Sequence, residues 1–103
     1  MYLLGIDIGT TSVKSVLFNE KLEEISAGSE EYELETHGAF VEYEAEKYWE
    51  IVQKELDSLG IVPDALAVDT QCETLILTDE NGNPVRKAIV WLDNRAAEEA
   101  KQI

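Results

Sequence analysis

Tyr2-Leu3-Leu4-Gly5-Ile6-Asp7-Ile8-Gly9-Thr10-Thr11-Ser12-Val13-Lys14-Ser15-Val16-Leu17-Phe18 decides the fold. Residues 2–6 are a compact apolar run, the mark of a buried strand. Residues 7–12 are small, polar and turn-forming. Residues 13–18 resume an apolar, β-branched pattern, broken only by Lys14 and Ser15. Two strands around a short Gly/Thr turn predict a β-hairpin. Outward from it, Asn19-Glu20-Lys21 reads as a second turn. Residues 22–34 read as a third strand, with Gly28 marking a bulge. His37-Gly38 opens a loop, where His37, the lone histidine, has no metal-ligand partners and reads as a surface residue.

From Ala45 the period changes. Ala45, Tyr48, Trp49, Val52, Leu56 and Leu59 recur at spacings of three and four, one face of a helix. That face assigns Trp49 to core packing. Gly60 is a natural stop and Pro63 prevents resumption. Leu66-Ala67-Val68 is a short apolar strand ending at Asp69-Thr70-Gln71-Cys72-Glu73. Residues 74–77 read as another strand, residues 79–84 as a strong Asn-Gly turn, and residues 85–91 as the partner strand. Asp93 or Asn94 caps a helix that begins near Arg95. The order β-β-β-α-β, then a hairpin and a helix, predicts an α/β fold: a mixed sheet covered by a crossover helix. The sequence ends at Ile103 within a helical pattern that has no C-terminal stop, so the expectation is a piece of a longer chain.

A chain of 103 residues is one domain at most, with a modest core. Hydrophobic content of 45% and charged content of 29% are ordinary for a globular fold. The charge balance is not: 22 acidic against 8 basic residues give a net charge of −14. With no basic stripe to follow a phosphate backbone, the composition argues against nucleic acid as a partner. An anionic membrane would repel the same surface. The acid gathers in residues 20–57 and reads as a solvated face rather than a docking surface. Cys72 is the only cysteine, so no intrachain disulfide forms. No basic region precedes the first apolar run, which is therefore no signal peptide, and no apolar stretch has the length of a membrane span. A soluble, cytoplasmic protein is expected.

The first turn carries chemistry. Gly9 lets the backbone approach a ligand closely. Successive turn amides make a concavity that attracts anions, and the hydroxyls of Thr10, Thr11 and Ser12 add donors. Asp7, at the strand end, suits a magnesium ion held through water and bridged to phosphate. Lys14 places a positive charge where a phosphoryl group would transfer. The plain alternative is a β-turn in which Gly and Thr only satisfy geometry.

These residues, Asp7-Ile8-Gly9-Thr10-Thr11-Ser12-Val13-Lys14, resemble the first phosphate loop of the FGGY carbohydrate kinases. That family belongs with hexokinase, actin and the heat-shock ATPases in a superfamily of ribonuclease H-like domains, and the β-β-β-α-β order agrees. Three later segments add to the resemblance. Residues 38–49 are similar to the family's Gly-Trp-Val-Glu-(His/Gln)-Asp-Pro…Trp stretch, with Phe40 for its tryptophan and Glu44-Ala45 for Asp-Pro. Thr70-Gln71-Cys72-Glu73-Thr74 aligns with a substrate-binding turn that reads Asn-Gln-Arg-Glu-Thr in glycerol kinases and Gln-Met-His in xylulokinases. Residues 88–95 resemble (Ala-Ile)-x-Trp-x-Asp-x-Arg. Together they cover residues 2–100.

The resemblance implies an N-terminal part of the family's first domain over residues 1–103, with the remainder of that domain and the ATP-binding second domain lying elsewhere. It implies transfer of the ATP γ-phosphoryl group to a ketose or polyol hydroxyl, with ATP and Mg2+ as cofactors and a small sugar or polyol as substrate. Asp7 and Lys14 would act at the phosphates. Gly9, Thr10, Thr11 and Ser12 would bind them, and Asp7 would hold the magnesium. Gln71, Cys72, Glu73 and Trp91 would line the substrate side. Cys72 departs from both patterns, because a thiol is a weak donor and no cation. The bidentate arginine grip is then missing, and a small buried hydrophobe is the competing reading for Cys72. Asp93 and Arg95 are expected to pair or cap around their loop. The family's catalytic base, an aspartate, lies later in its sequence, so this chain alone is expected to be inactive. The partner expected besides substrate is the remainder of the kinase, and self-association through the face left by a missing neighbour stays open. The readings from other classes are a nucleotide-binding or assembly module of the actin-like superfamily and an acidic interaction domain.

Overall fold

The computed structural model describes residues 1–103. Its elements, in chain order, are β1 (Tyr2–Ile8), β2 (Ser12–Asn19), β3 (Glu24–Glu31), β4 (Glu35–His37), β5 (Phe40–Tyr43), α1 (Ala45–Ser58), β6 (Ala65–Thr70), β7 (Ala88–Ile89) and α2 (Ala97–Ala100). The chain divides into two compact units, residues 1–32 with 48–71, and residues 33–47 with 72–103.

The first unit is a four-stranded sheet in the order β3-β2-β1-β6. The hairpins β1–β2 and β2–β3 are antiparallel, whereas β6 runs parallel to β1. A parallel neighbour requires a long crossover, which α1 supplies. The mixed sheet and its crossover helix are those the sequence predicts. The period-two pattern of β2 buries Val13, Ser15 and Leu17, and β1 buries Leu4 and Ile6. From α1, Tyr48, Ile51, Val52 and Glu55 are buried. Each such aliphatic side chain withdrawn from water contributes about 1.5–3 kcal/mol. Glu55 is the exception among them. Its carboxylate accepts from the Ser15 hydroxyl at 2.6 Å, an internal partner for a group that would be costly to bury alone.

Three expectations need correction here. Gly28 marks no bulge: it pairs in register with Ser15, and the register slip lies between Leu17 and Phe18. A Cβ at 28 would overlap Glu55 Oε2, so a larger residue there would displace that carboxylate and disturb its bond to Ser15. Trp49 is not core; it is 54% exposed, and the buried face of α1 turns through Ile51 and Glu55 instead. The first strand also runs on through Asp7 and Ile8, so the turn itself is only residues 9–11.

The second unit is a three-stranded sheet in the order β4-β5-β7. His37 ends a short strand rather than opening a loop, although it is exposed as expected. The hairpin expected over residues 74–91 is present but narrow. Leu75 and Ile89 exchange both backbone bonds at 2.9 Å, Val85 N donates to Leu77 O, and only Ala88–Ile89 extends as a strand against β5. The terminal helix starts at Ala97, and neither Asp93 nor Asn94 caps it with a side chain. Asp93 instead takes the Val41 amide and the Arg95 guanidinium. No helix is long and apolar enough to cross a membrane.

Candidate functional site

In the first unit the β1–β2 register sets Asp7 opposite Lys14, and the parallel pairing sets Asp69 on the other side of Asp7. Directly paired residues point to the same face of a sheet. These three side chains therefore line one side of a concavity of about 450 Å³, whose floor includes Gly5, Val16, Phe18 and Ala67. The loop at residues 9–11 rims the same strand ends. Gly9 N donates to Ser12 O at 2.8 Å, and a Cβ on residue 9 would stand only 3.0 Å from that oxygen. Glycine is thus favoured by a close approach of backbone to backbone, and not by a left-handed φ.

The loop is tied down from beneath. Gln71 N donates to Ile8 O at 2.8 Å, and Tyr32 N to Thr11 O at 2.9 Å. The Tyr32 hydroxyl donates to Gly9 O, and Gln71 Nε2 donates to the same oxygen at 3.2 Å and to the Tyr48 hydroxyl at 3.3 Å. The Tyr32 and Tyr48 rings meet edge to face, with centroids 5.5 Å apart. Burial pushes the Tyr48 hydroxyl above its ordinary pKa, while its bonds to Gln71 and Tyr32 pull the other way.

Asp7 and its neighbour Asp69 offer oxygen ligands, the donor type magnesium takes, beside the loop at residues 9–11. No three metal-ligating side chains gather anywhere. This fits a magnesium ion held by one or two carboxylates, water and the ligand's own phosphates. It does not fit an all-protein cage.

In the second unit Cys72 and Glu73 are exposed, which removes the buried-hydrophobe reading of Cys72. Glu73 has φ +65°, a left-handed conformation that a non-glycine residue adopts at a cost of about 1–3 kcal/mol. Trp91 is 48% exposed, in a turn closed by Asp93 N donating to Val90 O at 2.8 Å. Both ends of that turn are fastened to β5. Val90 N donates to Val41 O, and Val41 N donates to Asp93 Oδ2 at 2.7 Å. Arg95 forks onto both Asp93 oxygens and reaches Glu42 at 2.7 Å, and Arg86 also donates to Glu42. The Arg95 guanidinium lies 4.4 Å from the Phe40 ring centroid. Bonded to Arg95, Asp93 is held well below the usual carboxylate range, and Glu42 is lowered by the same guanidinium. Asp93 and Arg95 therefore pair as expected.

The structure gathers Asp7, Lys14 and the loop in one unit together with Gln71. Cys72, Glu73 and Trp91 belong to the other. Sequence reasoning missed Tyr32, Glu42 and the loop-facing role of Tyr48. Tyr48 was visible only as an apolar helix position, and Glu42 only as one residue of a matched stretch.

A family model described as the N-terminal domain of the FGGY family of carbohydrate kinases matches residues 2–103. The glycerol kinase of Streptococcus sanguinis is 32% identical over 111 residues, which cover 99% of this chain and 22% of that protein. The chain thus spans about a fifth of the length of the curated relatives it matches. The crystal structure of gluconate kinase from Lactobacillus acidophilus superimposes with a TM-score of 0.91 at 25% identity, covering 98% of this chain and 22% of that one. The Plasmodium falciparum glycerol kinase solved with ADP has the same fold, with a TM-score of 0.88 at 23% identity over 98% of this chain and 22% of that one.

Proposed function

The chain belongs to the FGGY family of carbohydrate kinases, and from that membership we propose that the complete protein transfers the γ-phosphoryl group of ATP to a hydroxyl of a ketose or polyol. The observation that carries the reading is the row Lys14–Asp7–Asp69 across three neighbouring strands, beside a loop whose carbonyls are tied down. In the transfer, the bond from the γ-phosphorus to the β-phosphate oxygen breaks and a bond to the substrate oxygen forms. The hydroxyl proton would pass to a base, an aspartate expected later in the complete protein. Such a reaction depends on positioning and on charge neutralisation.

Lys14 would offset charge on the transferring group. Thr10, Thr11 and Ser12 would cradle phosphate oxygens through amides and hydroxyls, while Gly9, whose amide is taken by Ser12 O, would let the backbone come close to them. Asp7 would hold magnesium, which supplies charge neutralisation across the phosphates when bound. Trp91, half exposed, offers an apolar wall to a sugar face, and Glu73 offers acceptors for hydroxyls. Cys72 provides no cation there, so the polyol grip differs from the Arg-Glu pair of the glycerol kinase motif. Gln71 completes the substrate turn in sequence. The 103 residues alone are expected to transfer nothing.

The test is an ATP- and magnesium-dependent phosphorylation assay of the complete gene product over a panel of polyols and ketoses. Turnover on one of them, reduced about 100-fold or more in Asp7→Ala, is expected. A product that binds nucleotide yet phosphorylates none of the panel would turn the assignment to a binding module.

A further inference from the structure

Carbonyl oxygens of residues 8, 9 and 11, in and beside the loop at residues 9–11, accept from donors later in the chain. Ile8 O accepts from Gln71 N, Thr11 O from Tyr32 N, and Gly9 O from two side chains at once. A peptide unit is planar, so its C=O and N–H point to opposite sides. Two donors on Gly9 O therefore fix the whole Gly9–Thr10 peptide: its carbonyl faces the core and its N–H faces the other way. The donors are themselves fixed. Tyr32 is 8% exposed, and its ring is wedged edge to face on Tyr48. Gln71 Nε2 is shared between Gly9 O and the Tyr48 hydroxyl. All three side chains are uncharged at neutral pH and add no charge of their own beside an anionic ligand.

We infer that Tyr32 and Gln71, backed by Tyr48, are positioning residues of the phosphate loop, acting on phosphoryl transfer by holding the Gly9–Thr10 peptide in one orientation. The inference rests on the kinase reading. It moves Gln71 from the substrate side, where its sequence neighbours put it, to the phosphate side. Amide dipoles already aimed at bound phosphate need no reorientation when ATP arrives, so they strengthen its binding in the ground state and during transfer alike. A loop free to flip this peptide would bind phosphate more weakly while leaving sugar binding alone.

In the complete gene product, Tyr32→Phe removes one donor and keeps the ring. The expected result is a KM for ATP raised about tenfold, with the KM for the accepted sugar unchanged. Gln71→Met, which keeps length and loses the donor, should act in the same direction. Because both donors meet on one carbonyl, the double variant should lose less than the product of the two single losses. A purely structural role would lower the rate at every ATP concentration and leave the KM for ATP unchanged, and that result overturns the proposal. If the wild-type product phosphorylates nothing, the kinase reading falls and the brace is read by titrating magnesium pyrophosphate against the Gly9, Thr10 and Thr11 amide resonances. Affinity weakened about tenfold in Tyr32→Phe sustains the brace. Equal affinity, or no binding by wild type, overturns it.

Discussion

The loop at residues 9–12 and the turn at residues 90–93 are both short, and both present residues proposed to meet ligand, yet they are fastened by different chemistry. The loop is held by backbone amides, a tyrosine hydroxyl and a carboxamide, above a sheet whose buried face is Leu4, Ile6, Val13 and Leu17. The turn is held by charge. Asp93, with a side chain only 3% exposed, takes the Val41 amide and the Arg95 fork, while Glu42 takes Arg95 and Arg86. A site for anions gains from neutral supports, which leave the local field to Lys14 and Asp7. A site for uncharged sugar tolerates charges that are already compensated by one another. The support beneath each segment is thus matched to the charge of what it is proposed to hold.

If the loop depends on an apolar floor, truncating that floor should exceed any change to the charged turn. Leu17 is fully buried, and Leu17→Ala should cost about 3 kcal/mol through lost burial and the cavity left behind. One tryptophan lies in each unit, Trp49 in the first and Trp91 in the second. Denaturant unfolding followed by Trp49 fluorescence, in a Trp91→Phe background, measures the loss where it should fall. A cost under about 1 kcal/mol would mean that the sheet face is not packed as a core.

The turn gives a smaller, more local effect. Asp93→Asn keeps the shape and an acceptor for the Val41 amide but removes the ionic partner of Arg95. The loss should be about 2 kcal/mol, the scale of a hydrogen bond to a charged group. It should appear at Trp91, monitored in a Trp49→Phe background, with little change at Trp49 in the opposite background. Equal losses at both reporters would erase the distinction between the two supports.

These supports were unequally legible in the sequence. The β1–β2 hairpin, the crossover helix and the parallel strand follow from local periodicity, but the opposition of Asp7 and Lys14 does not, because the turn read as residues 7–12 is only residues 9–11. What else failed was whatever depends on a partner far along the chain. Glycine within a strand reads as a bulge until Glu55 is seen above Gly28. Asp93 before a helical pattern reads as a cap until the Val41 amide is seen to need it. Trp49 counts toward an apolar face by spacing, and only the packed sheet shows that the buried stripe passes beside it. Tyr32 closes the loop from the end of the third strand, where sequence offers only one aromatic among acids. The β4–β5 hairpin was hidden because strands of three and four residues carry too few positions to show a period.

The finest separation of the two supports is by pH. Asp93 binds a proton less readily in the folded chain than in the unfolded one, because Arg95 favours its charged form. Its contribution is therefore complete above the unfolded carboxylate range, about pH 4, and is lost as the pH falls below that. Glu42 shifts in the same direction for the same reason. Tyr48 is the reverse case. Burial raises its pKa, so the stability it lends is present below the ordinary tyrosine range, about pH 10, and declines as the pH rises through and beyond that value. Acid should thus loosen the turn first and alkali the loop. Between neutral pH and pH 3 the denaturant midpoint read at Trp91 should fall further than the midpoint read at Trp49, and above pH 10 the order should reverse. If acid moves both reporters together, charge is not what distinguishes the fastening of residues 90–93 from that of residues 9–12.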